Sequence, residues 1–65
     1  MQQSATDRLL RLRDVAPMVG MAKATIYRKI ASGEFPRPVS VGKTSVRWRE
    51  SDLARWMQAL TPQAA

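Results

Sequence analysis

Cysteine and histidine are both absent from this sequence. Without cysteine no disulfide can staple the fold and no thiolate site can hold zinc. Without histidine the side chain that most often moves a proton near neutral pH is missing too. These absences remove the usual metal ligands and most nucleophile and acid-base schemes, so no metal, no cofactor and no enzyme activity are expected. Long apolar runs are lacking as well. The longest, Val15 to Ala22, is interrupted by Pro17 and Gly20 and falls far short of the roughly 20 residues a membrane-spanning helix needs. Met1 to Asp7 is polar and unlike a secretory signal, so no membrane partner is expected and a cytoplasmic location is the default. Acidic residues are scarce: five face 11 Lys and Arg, a net charge of +6 on 65 residues. A field of that size attracts polyanions, although a basic surface can also serve solubility alone. So short a chain forms one domain with a thin core and little room for an enclosed active site.

The residues that are present divide the chain clearly. Residues 9–60 read as one folded domain, with 1–8 and 61–65 as flexible ends. Leu9 to Leu12 suits a short strand with Leu10 and Leu12 on one face and Arg11 on the other. Asp14 to Val19 suits a short helix: Asp14 lies in the first turn, where the dipole favours an acid, and Gly20 ends the helix. Pro17, about one turn in, limits this helix without forbidding it. Ala22 to Ala31 forms a second helix, with Ala22, Ile26 and Ile30 on its core face and Gly33 closing it. Phe35 reads as a core plug beside Pro36 and Pro38, which prevent further helix. Val39, Val41, Val46 and Trp48 then alternate with Ser40, Ser45 and Arg47 around Gly42-Lys43-Thr44. The pattern is that of a β-hairpin, expected to lay its Val and Trp side chains on the core and to turn Arg47 and its tip toward solvent. Glu50, Ser51 and Asp52 open a third helix, whose stripe of Leu53, Trp56, Met57 and Leu60 reads as core in preference to a ligand groove. The fold expected is mainly α with a small β-hairpin: a winged helix-turn-helix of three helices and a two- or three-stranded wing sheet.

Two short helices meeting at Gly20 present the second one to a DNA major groove. At 3.6 residues per turn Ala24 and Arg28 fall nearly opposite Ile26 and Ile30, with Thr25 and Tyr27 beside them. Arg28 can offer a planar fork of donors to guanine, while Ala24 allows close approach and contact with a thymine methyl. Lys23, Thr25 and Tyr27 suit phosphate oxygens, which position the protein without reading sequence. The plain alternatives are a solvated charge for Arg28 and a half-buried packing role for Tyr27. At the hairpin, Lys43, Thr44, Ser45 and Arg47 form a second basic element, with Lys43 the leading phosphate contact. Arg37 is a weaker candidate, and Arg49 and Arg55 are expected to face solvent or form local pairs.

The ordered set Leu12-Arg13-Asp14-Val15, Gly20 to Arg28, Gly33-Glu34-Phe35-Pro36, Val46-Arg47-Trp48 and Asp52 to Trp56 resembles the AlpA family. The family comprises regulators encoded by phages and mobile elements, with a winged helix-turn-helix related to MerR and excisionases. The resemblance implies binding near a promoter or attachment site, often to control integrase or excisionase genes, without enzyme activity. Ala22 departs from the wider MerR-like pattern, in which a Ser often caps the second helix and touches phosphate; that contact is not carried over. The long dimerising coiled coil of full MerR proteins is missing, so no small-molecule effector is implied.

Double-stranded DNA is thus the expected partner, bound by a homodimer or by adjacent cooperative copies, since one copy offers a small footprint. An excisionase that bends attachment-site DNA is the nearest alternative. A protein-interaction module such as an antirepressor, using Tyr27 and Arg28 as an interface, is another.

Overall fold

A computed structural model describes residues 7–63. The expected flexibility of residues 1–6 and 64–65 lies outside the described residues. The element order is β1 (Leu9–Leu10), α1 (Leu12–Val19), α2 (Lys23–Ala31), β2 (Val39–Ser40), β3 (Val46–Arg49) and α3 (Glu50–Ala59). The strands form one three-stranded antiparallel sheet in the order β1-β3-β2. No helix among the described residues is long and apolar enough to cross a membrane.

Local signals set the helix limits. Leu12 belongs to α1 and not to the strand, because Arg11 already acts as N-cap: its carbonyl accepts from Asp14 and Val15 N–H, and its own N–H donates to the Asp14 carboxylate at 3.2 Å. Asp14 therefore anchors the first turn two residues later than the start of the helix. Pro17 sits inside α1 but is exposed, so water can reach the carbonyl its ring leaves without a donor. Gly20 ends α1 with φ +71, and Gly33 ends the turn after α2 with φ +78. Both lie in the left-handed region that costs glycine almost nothing.

Almost every element contributes one side chain to the core. Leu10, Val15, Ile26, Trp48 and Leu53 come from β1, α1, α2, β3 and α3, and Phe35 comes from the connection between α2 and β2. Leu12, Ala16, Val19, Met21, Ile30, Val46 and Trp56 pack around them, half-buried. Both tryptophans also hold the connection that carries Phe35. The Trp48 indole N–H donates to the Pro36 carbonyl at 2.9 Å, and that of Trp56 donates to the Glu34 carbonyl at 3.0 Å. Phe35 meets Trp56 edge to face, with ring centroids 4.7 Å apart.

Several expected core positions prove exposed. Ala22 is the exposed N-cap of α2 and lines no core face. Met57 and Leu60 are also exposed, so the core stripe of α3 reduces to Leu53 and Trp56. In the hairpin, Val39 pairs with Arg47 and Ser40 with Val46. Directly paired residues share a face, so Val39 and Val41 lie with Arg47, on the side away from Val46 and Trp48. Val41 is consequently exposed, and Arg47 is half-buried instead of pointing into solvent.

Candidate nucleic-acid interface

Helix α2 is fastened to the protein by Ile26, fully buried, and Ile30, half-buried. Lys23, Ala24, Tyr27, Arg28 and Ala31 are exposed and occupy one continuous arc of about 140°. Thr25, at the far flank, is half-buried and departs from the outward position expected of it. Arg28 forms no ion pair among the described residues, where the pairs are Arg49–Asp52 and Arg55–Asp52. Those two arginines thus form the local pairs expected from the sequence.

The N-terminus of α2 differs from its counterparts. Asp14 serves the first turn of α1, and Glu50 and Asp52 serve that of α3, but α2 has no acid in its first turn. Its N-cap, Ala22, makes no side-chain hydrogen bond, as Arg49 makes none for α3, but no residue from elsewhere among the described residues caps α2 in its place. The first N–H groups of α2 therefore remain for solvent or an external anion, beside the exposed Lys23.

Tyr27 touches the interior as well as solvent. Its ring meets Trp48 edge to face with centroids 6.4 Å apart, although the residue is 40% exposed. This contact ties the exposed arc of α2 to the central strand of the wing. At the hairpin tip Lys43, Thr44 and Ser45 are exposed, and the Arg47 guanidinium folds back to donate to the Val46 carbonyl at 2.8 Å. Arg37 is exposed on the connection before β2.

One juxtaposition escaped sequence reading. Helix α1 packs against both α2 and β3. Its start therefore meets the hairpin tip, and Arg11 and Arg13 border an open groove with Thr44, Ser45 and Arg47 over a floor of Leu12 and Val46. The run Arg11-Leu12-Arg13 is basic in the sequence, but nothing local indicates that it lies beside residues more than thirty positions later.

Two short helices joined across Gly20–Ala22, with a small antiparallel sheet packed beside them, define a winged helix-turn-helix protein. Residues 8–61 match the family described as the prophage CP4-57 regulatory protein (AlpA), and the chain belongs to that family. It is 33% identical over 63 residues to the DNA-binding transcriptional activator AlpA of Escherichia coli K12, an alignment spanning 88% of this chain and 90% of that protein. It is 41% identical over 51 residues to the uncharacterized protein ORF88 of Enterobacteria phage P4, spanning 78% of this chain but only 58% of the phage protein. No solved structure matches the chain significantly.

Proposed function

We propose that this chain is a cytoplasmic, sequence-specific regulator of transcription for a prophage or mobile element, binding double-stranded DNA and catalysing no reaction. The observation that carries the reading is the division of α2: Ile26 and Ile30 are held by the core, while Ala24 and Arg28 stand side by side on the exposed face. In this reading α2 enters the major groove. Arg28 forks onto a guanine, and Ala24 lets the helix approach closely. Lys23, Thr25 and Tyr27 contact phosphates, aided by the uncapped N–H groups of α2. Lys43, Thr44, Ser45 and Arg47 of the wing, with Arg37 behind them, contact the backbone or the adjacent groove. A homodimer or adjacent copies read repeated half-sites.

Selection of bound duplexes from a random pool, followed by mapping of the selected motif in the host genome, tests this reading. One enriched motif overlapping a promoter is expected, with affinity falling steeply with salt. No enrichment would refute sequence-specific binding. Sites repeated beside an attachment junction, with measured bending, would replace transcriptional control by excision.

A further inference from the structure

We propose that the groove between the start of α1 and the hairpin tip is a second phosphate-binding site, gripping the DNA backbone beside the segment that α2 reads. The inference rests on the DNA-binding reading above and adds residues outside both the helix-turn-helix face and the hairpin. Three arginines, Arg11, Arg13 and Arg47, line the groove: the first two at the start of α1, the third on β3. None of the three has a carboxylate within ion-pair distance among the described residues. The nearest acid in sequence, Asp14, accepts the Arg11 backbone N–H and does not line the groove. Like charges gathered without a counter-charge repel one another, so the arrangement favours an anion between them. Arg11 and Arg13 are exposed, and so are Thr44 and Ser45, whose hydroxyls are donors suited to phosphate oxygens. The half-buried Arg47 uses one of its five N–H donors on Val46, leaving the others available.

The two ends of the groove come from α1 and the wing, and α1 also packs on α2. A phosphate held there would fix how far α2 is rotated in its groove. Arg11 and Arg13 are therefore assigned to position the protein and not to read bases.

The test measures the salt dependence of duplex binding by the full chain and by R11Q, R13Q, the double variant and R55Q. Circular dichroism checks that each variant is folded. Arg55 is paired with Asp52 one turn earlier in α3, does not line the groove, and serves as a control for lost charge alone. R11Q and R13Q should each lower the log-log salt slope by about 0.9, and the double variant by about 1.8. The selected motif should stay the same and R55Q should keep the wild-type slope. Slopes unchanged in R11Q and R13Q, or lowered equally in R55Q, would overturn the site while leaving DNA binding intact. A changed motif would make these arginines base readers and overturn the assignment. Equal binding to an RNA duplex of the same sequence would overturn the commitment to DNA. If the unmodified chain binds no duplex, the broader functional reading falls and takes this site with it.

Discussion

At the scale of single residues, basic side chains in the same electrostatic field are expected to behave differently. Arg28 stands on the exposed arc of α2, whereas Lys43 stands at the exposed hairpin tip. A bidentate contact to guanine is lost when its arginine is truncated, so Arg28→Ala should cost about 1–3 kcal/mol of binding and relax preference at one base position. Lys43→Ala should weaken binding to all sequences alike and lower the salt slope by about one unit. Binding assays on the selected motif and on single-base variants of it separate the two effects. Identical losses that ignore base identity would show that α2 does not read sequence. The outward face of this helix was legible from its spacing alone, because the positions of Ile26 and Ile30 leave Ala24 and Arg28 only the opposite side. The half-burial of Thr25 was not, since a residue at the flank of a helix is covered or open according to what lies beside it.

At the scale of elements, α3 owes its start to the other end of the chain. Its N-cap, Arg49, makes no side-chain hydrogen bond. Instead the Arg8 carbonyl accepts the Glu50 N–H at 2.8 Å, and the Asp7 carboxylate accepts both the Ser51 N–H at 3.0 Å and the Ser51 hydroxyl at 2.8 Å. These bonds hold the Asp7 carboxyl below its ordinary value of 3.8, the Ser51 backbone bond contributing most. A group whose pKa is depressed by folding stabilises the fold above its unfolded value and ceases to do so as pH falls through the folded one. Asp7→Ala should therefore lower Tm at neutral pH, and the gap to the wild type should close as the pH drops below about 3.8, the ordinary value. Thermal melts of the two proteins across acid pH would check this. A gap that persists undiminished at low pH would mean that the carboxylate is not the capping group. Glu50 and Asp52 mark the start of α3 in the sequence, but a cap delivered from 44 residues away leaves no local trace.

The hairpin shows a related limit. Alternation of Val39, Val41, Val46 and Trp48 identifies two strands, but their faces depend on the parity of the turn. Val41 donates its N–H to the Ser45 carbonyl at 2.9 Å across the three residues Gly42-Lys43-Thr44. Such a closure pairs odd positions with odd, so Val39 and Val41 fall on the face of Arg47. A connection one residue longer or shorter would have turned both valines inward.

At the scale of the whole molecule, six side chains carry the buried core of the described residues, and Trp48 is the largest of those fully enclosed. A domain of this length holds on the order of 3–10 kcal/mol of stability. Loss of a buried tryptophan costs about 3–5 kcal/mol, and here it also removes the hydrogen bond that pins Pro36. Trp48→Ala should therefore remove a large share of that stability and shift the urea midpoint far below that of the wild type. Leu60→Ser, at a residue 56% exposed, should stay within about 0.5 kcal/mol of the wild type. Urea denaturation of both variants checks the pair; a Trp48→Ala protein with a midpoint as high as that of Leu60→Ser would move the centre of the core elsewhere.

Sequence alone determined the order of elements, the helix stops at Gly20 and Gly33, the plug at Phe35 and the basic character of the surface. Each of these follows from bonds and torsions between near neighbours or from simple composition. Tertiary structure decided which hydrophobic residues are covered, which face of β2 turns inward, how Asp7 caps α3, and that Arg11 and Arg13 stand beside the hairpin tip. Those outcomes depend on distant segments packing together, and distance in space is not written in the spacing of residues along the chain.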